Sequence, residues 1–119
     1  MIVRAKPGRV RVFAAHASAY PDPIRFEPGD ALILGGRDAE FPGWVRVTTD
    51  DGKAGWAPEQ FVAADSSDRG VAVKEYTARE LDTAIGQVLV CHRELNDWLW
   101  VENAHGECGW VPKRTIKAG

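Results

Sequence analysis

The side chains with the clearest capacity for chemistry are two cysteines and two histidines in the second half of the chain. Cys91 and His92 are adjacent, and His105 precedes Cys108 by three positions. Two thiolates and two imidazoles would suit a tetrahedral zinc ion. However, the two pairs fall on different expected strands, and the strand Trp98–Glu102 should separate them. We therefore expect no metal site and interpret both cysteines as small apolar fillers.

Motifs for catalysis are missing from the sequence. It contains no glycine-rich phosphate loop, no paired carboxylates in a recognisable arrangement and no nucleophile motif. The serines fall in an expected loop and an expected linker, at Ser18, Ser66 and Ser67. We predict a protein that has no enzymatic activity and needs no cofactor.

The most unusual feature of the composition is the presence of five tryptophans in 119 residues. Two of them belong to a repeated Gly-Trp-x-Pro motif, at Gly55–Pro58 and Gly109–Pro112. Trp44 and Trp98 precede these motifs at the same spacing. Flat indole and proline rings together can bind an extended or polyproline-type peptide. The residue types therefore indicate a binding surface.

These motifs belong to a unit that occurs twice along the chain. Gly29-Asp30 in the first copy matches Gly86-Gln87 in the second, and Val12-Phe13 matches Ala72-Val73. The offset between the copies changes only in steps of three, at places where loops are expected. A repeat of this length indicates one supersecondary unit used twice.

Each copy is predicted to consist of short strands that are separated by turn residues, which is typical of small barrels. The first copy has alternating segments at Val10–Ala14, Leu32–Leu34 and Trp44–Thr48, followed by an Asp-Gly turn at Thr49–Gly52. The second has Val71–Tyr76, Val88–His92, Trp98–Glu102, a turn at Asn103–Gly106, and Cys108–Val111. Residues 63–70, rich in Asp and Ser, are predicted to be a linker between domains 1–62 and 71–119.

Charge and hydropathy restrict the partners. The net charge is −2, so the chain lacks the basic field that nucleic acids or anionic lipids require. No apolar run approaches the roughly 18 residues of a membrane span, and the first residues do not read as a signal peptide. We expect a cytoplasmic protein, monomeric or weakly dimeric, that binds neither nucleic acid nor membrane.

Taken in order, these motifs resemble the Src homology 3 (SH3) family over nearly the whole chain. Family members carry Ala-Leu-Tyr-Asp-Tyr, Glu-Leu-Ser-Phe-x-x-Gly-Asp, a Trp pair, a distal hairpin, Gly-x-x-Pro and Asn-Tyr-Val. The corresponding segments of the first copy are Val12–His16, Pro23–Asp30, Trp44, Gly55–Pro58 and Gln60–Val62. Those of the second are Ala72–Tyr76, Glu80–Gln87, Trp98, Gly109–Pro112 and Arg114–Ile116. The resemblance implies an all-β fold of two consecutive small five-stranded barrels.

The resemblance also implies a groove on each copy that binds a protein or an extended peptide, proline-rich peptides included. The implied groove residues are His16, Trp44, Trp56, Pro58 and Phe61 in the first copy, and Tyr76, Trp98, Trp110 and Pro112 in the second. Glu80 is the implied partner of a basic ligand residue. Departures from the family's groove tyrosines occur at Ala14, His16, Lys74 and Thr115.

Strand alternation independently predicts where the tryptophans point. If Val45 and Val47 face the core, Trp44 lies on the opposite face of its strand. The same reasoning places all five tryptophans on outer faces. Such an aromatic strip indicates an interface. The strip would bind a peptide, or it would be covered between the two barrels or in a homodimer. A further alternative is that the protein senses a small ligand.

Overall fold

The computed structural model describes residues 8–18 and 22–118, and these residues form an all-β chain, as predicted. The strands are β1 (Gly8–Val12), β2 (Arg25–Phe26), β3 (Ala31–Arg37), β4 (Trp44–Thr48), β5 (Ala54–Pro58), β6 (Val62–Ala64), β7 (Arg69–Ala72), β8 (Tyr76–Thr77), β9 (Val88–Leu95), β10 (Trp98–Glu102), β11 (Cys108–Pro112) and β12 (Ile116–Ala118). Single 3-10 turns occupy Glu59–Phe61 and Lys113–Thr115. Within the described ranges, no helix has the length and apolar character needed to cross a membrane.

Two five-stranded antiparallel sheets account for ten of these strands. Their orders are β5-β4-β3-β7-β6 and β11-β10-β9-β1-β12, and β2 pairs separately with β8. The matched glycines of the repeat, Gly29 and Gly86, have φ angles of 96° and 90° and stand two residues before β3 and β9. The sheets are consistent with SH3-like barrels, which confirms the predicted fold class.

The chain divides into two compact units whose boundaries differ from those expected. Unit 1 comprises residues 1–21 and 79–119, and unit 2 comprises residues 22–78. In unit 1, β1 pairs with β9 and β12. In unit 2, β7 pairs with β3 and β6. The first strand of each repeat therefore lies in the sheet formed by the other repeat, and the continuous domains 1–62 and 71–119 need correction.

The expected linker at 63–70 is the cause of this exchange, because it is a hairpin. β6 and β7 pair directly, with Val62 opposite Ala72 and Ala64 opposite Gly70. The backbone N–H groups of Asp65 and Ser66 donate to the Arg69 carbonyl at 2.8 and 3.1 Å. The chain thus reverses within four residues, and β7 remains beside the strand that precedes it.

The size of one residue explains why β7, and not β1, completes the unit 2 sheet. Gly70 lies opposite Leu32 in unit 2, and Val10 occupies the equivalent register position opposite Leu89 in unit 1. A Cβ atom at residue 70 would lie 2.7 Å from the Ala63 carbonyl oxygen and 3.0 Å from Leu34 Cδ1. Valine would not fit at this place without a shift of the backbone. Unit 2 therefore accepts a glycine-bearing strand, which β7 supplies.

We expect Gly70→Ala to lower the free energy of unfolding by about 1–3 kcal/mol, the usual cost of overpacking. Gly36→Ala is the matched control, because a Cβ atom at residue 36 would meet nothing within 4 Å. The control should change stability by no more than about 0.5 kcal/mol. Urea denaturation followed by circular dichroism measures both. Equal effects of the two substitutions would contradict the close approach at Gly70.

Each unit has its own apolar core, formed from the inward-facing strand positions. The unit 1 cluster consists of Val12, Leu81, Leu89, Leu99, Val101 and Val111, with Cys91 packed against it. In unit 2, Val45 and Val47 are buried, as alternation predicted, together with Ile24, Phe26 and Leu32. Cys91 is therefore an apolar filler, as expected.

Candidate functional site

The candidate site of unit 1 is positioned by two loop segments that are far apart in the chain, residues 13–18 after β1 and residues 79–87 before β9, which we call its two arms. His16 and Thr83 bind each other through their backbones, at 3.3 Å for the His16 N–H and 2.8 Å for the Thr83 N–H. The Ser18 N–H donates to Asp82 Oδ1 at 2.7 Å. Although 67 residues separate His16 from Thr83, the exchanged strand brings the arms together.

His16 is the centre of this arrangement. Its Nε2 lies 2.8 Å from Glu80 Oε1, and the two side chains are only 14% and 12% exposed. Its ring meets the Trp98 ring edge to face, with centroids 5.8 Å apart and an interplanar angle of 80°. Trp98 itself is half-buried and lies opposite Pro112 across β10 and β11. We call His16, Glu80, Trp98, Trp110 and Pro112 the unit-1 face.

Trp110 forms the buried part of the unit-1 face and is only 2% exposed. Its backbone N–H donates to the Arg79 carbonyl at 2.9 Å, and its carbonyl accepts from Leu81 N–H at 3.1 Å. Its ring contacts Trp100 at 5.3 Å between centroids, and the Arg93 guanidinium lies 5.7 Å from its centroid. The loop arm and these neighbours cover an indole that the strand pattern alone placed outward.

In unit 2, the residues at the positions equivalent to the unit-1 face pack together in a closed cluster. Tyr76 packs against Phe26 and Phe61, with centroid distances of 5.4 and 5.8 Å, and its hydroxyl donates to the Trp56 carbonyl at 3.1 Å. Trp44 lies opposite Pro58 and is 6% exposed. Pro58, Phe61 and Tyr76 are buried as well. These rings therefore offer little surface to a ligand.

The structure changes the grouping of the predicted groove residues. His16, expected beside Trp44, Trp56, Pro58 and Phe61, joins Trp98, Trp110 and Pro112 in unit 1. Tyr76, expected in the second groove, joins the first-copy residues in unit 2. The physical reason is the exchange of β1 and β7, because each of these side chains follows an exchanged strand.

Two of the five tryptophans expected on outer strand faces are covered by other parts of the chain. Trp44 and Trp110 are buried, whereas Trp56, Trp98 and Trp100 are half-buried. Alternation specifies the side of a strand on which a residue lies. It does not specify what the rest of the chain places over that side.

The cysteines and histidines do not converge. Cys91 lies opposite Val101 and Cys108 lies opposite Glu102, while His92 Nε2 contacts Glu102 Oε1 at 2.9 Å. Burial, with a contribution from the Glu102 carboxylate, raises the pKa of the Cys108 thiol, which favours its protonated form. Across residues 8–18 and 22–118, no group of three or more His, Cys, Asp or Glu residues could hold a metal ion.

No local sequence pattern marked Thr83, which is buried and binds the His16 backbone. The positions of Glu80 and His16 gave no sign that they contact each other. No local pattern could have given one, because 64 residues separate them.

The family comparison agrees with the motifs of the first copy. The model of the variant SH3 domain matches residues 9–65, from β1 to β6. No curated protein and no solved structure matches the chain. The match follows the order of the sequence, although the structure places β1 in unit 1 and β3 to β6 in unit 2. Residues 9–65 carry a variant SH3 domain.

Proposed function

We propose that this chain is a non-catalytic protein-interaction module that binds an extended segment of a partner protein at the unit-1 face. The SH3-type domain supports the general class, a module for protein interaction. The proposed location rests on a difference in solvent exposure between two indoles at equivalent positions of the repeat. Trp98 remains half-buried at the edge of the unit-1 face, whereas Trp44 in unit 2 is only 6% exposed.

The chemistry of the unit-1 face suits an extended apolar segment. Trp98 offers part of a flat ring. A polyproline-type segment presents flat ridges, which can stack on such a ring. His16 holds one edge of the Trp98 ring, so the indole is partly ordered before a ligand arrives.

We propose a structural role for the equivalent cluster of unit 2. Its aromatic rings are buried and the Tyr76 hydroxyl is bound to the Trp56 carbonyl. The cationic Nζ of Lys74, where the family has a tyrosine, lies 5.7 Å from the Phe61 centroid. A peptide would have to displace these contacts before it could stack on the rings. This fits the interpretation in which a groove has become part of the interior.

The test is a titration of the protein with proline-rich and other extended apolar peptides. Two-dimensional NMR monitors binding through the chemical shifts of the tryptophan indole N–H signals. We expect bound peptides to shift the Trp98 signal first. Trp98→Ala should weaken binding by at least about 2 kcal/mol, roughly thirtyfold in Kd, as expected of an aromatic hot spot. Trp56→Ala in unit 2 is the matched control and should leave Kd unchanged. Peptides that shift only Trp56, or a Trp98→Ala variant with unchanged Kd, would contradict the proposal.

A further inference from the structure

The carboxylate expected to meet a basic ligand residue already has a partner in unit 1. Glu80 Oε1 lies 2.8 Å from His16 Nε2, and 12% of the Glu80 side chain is exposed. Both backbones are fixed, since His16 pairs with Thr83 and Glu80 forms a bridge to Trp110. The contact therefore joins two held positions, unlike a surface pair of long mobile side chains.

We infer that His16 occupies the place of a ligand cation, and that the unit-1 face consequently selects an extended segment without a basic anchor residue. This inference rests on the proposed function and specifies the chemical class of its ligand. A guanidinium binds a carboxylate best through two parallel hydrogen bonds, which require both oxygens in the open. Glu80 offers neither that exposure nor a free pair of oxygens. A cationic ligand would have to displace the imidazole and leave it without its partner.

The remaining acidic residues of unit 1 do not replace Glu80. Glu94 Oε2 accepts from Lys113 Nζ at 2.7 Å, and Asp82 Oδ1 accepts from the Ser18 N–H at 2.7 Å. Glu102 contacts His92, and Glu107 contacts Arg79 and Asn103. Of the acidic side chains described in unit 1, Asp97 alone has no partner. It is exposed in the turn between β9 and β10, where water screens its charge.

The ligand expected at this face is therefore recognised by its shape and its backbone. A proline-rich or other apolar segment would stack beside Trp98, and its affinity would depend little on ionic strength. An arginine in the segment would add little affinity, because Glu80, its expected partner, is bound to His16. His16 is on this view a specificity-determining residue of the unit-1 face.

The test uses a short polyproline peptide with one terminal arginine and its citrulline twin, which has the same shape without the charge. For the wild-type chain, we expect the two Kd values to agree within about twofold at low and at high salt. His16→Phe keeps a ring beside Trp98 but releases Glu80, and it should create a preference for arginine of at least about tenfold. His16→Gln is the matched control, because it retains a hydrogen-bond donor and should create no such preference.

A wild-type chain that already prefers the arginine peptide tenfold would overturn the inference, as would a His16→Phe variant without any change in preference. If His16→Phe does not fold, Glu80→Gln decides: a ratio of the two Kd values that stays as in the wild-type chain supports the inference, and a selective loss for the arginine peptide overturns it. If neither peptide binds any variant, the proposed function fails at this face. The contact between His16 and Glu80 is then tested by urea unfolding of His16→Ala, Glu80→Gln and the double variant. Additive shifts of the unfolding midpoint would overturn the inference, and non-additive shifts would support it.

Discussion

The fragment 22–78, expressed alone, is expected to fold with one cooperative unfolding transition. It contains every strand of the unit 2 sheet, β3 to β7, and the paired strands β2 and β8. Its buried residues Val47, Ala57 and Phe61 all lie within the same continuous segment. A fragment that keeps its complete sheet and core keeps most of the free energy of folding of that unit.

The fragment 1–62, which the sequence repeat suggests as a domain, is expected to remain largely unfolded. It lacks β7, which lies between β3 and β6 and is bonded to both. Its own β1 offers Val10 where the sheet has room for glycine alone. Circular dichroism, urea denaturation and the dispersion of NMR signals distinguish the two fragments. A folded 1–62 that is as stable as 22–78 would show that β1 can replace β7, and that the exchange is not required by packing.

Truncation of the two equivalent tryptophans is expected to have very different consequences. Trp44→Ala should lower the free energy of unfolding by about 3–5 kcal/mol, because it removes a buried indole and leaves a cavity. Trp98→Ala should lower the free energy of unfolding by about 1–2 kcal/mol, since a half-buried ring contributes less buried apolar area to the folded state. Urea denaturation monitored by circular dichroism gives both values without relying on tryptophan fluorescence.

Equal losses at Trp44 and Trp98 would place both indoles in the interior. The unit-1 face would then have no aromatic surface to offer, and the proposed function would lose its main support. The opposite result, a small loss at Trp44, would mean that the unit 2 cluster opens readily. A peptide site on unit 2 would then have to be considered again.

Most strands and two of the turns of this protein could be predicted from its sequence because their signals are local. Val45 and Val47 alternate with their neighbours and are buried as predicted. Gly29 and Gly86 adopt the left-handed conformation at the openings of β3 and β9. The repeated motifs predicted one unit used twice, and the structure has two five-stranded sheets. Each of these features depends on residues close together in the chain.

The candidate site was predicted less completely, because its contacts join distant residues. Strand alternation is the same for β1 and β7, so it cannot tell which sheet each strand completes. That choice depends on the hairpin turn at 65–68 and on the space around Gly70. The partner of Glu80 follows from the same choice, since His16 reaches it only because β1 lies in unit 1.

The sequence by itself therefore determined the all-β class, most of the strands, and the types of the aromatic and proline residues that were expected to form grooves. The tertiary structure alone decided which of those residues meet in each unit and which tryptophans keep contact with solvent. The physical reason is that periodicity and turn chemistry act over a few residues, whereas strand pairing and ring burial depend on steric fit between segments far apart in the chain.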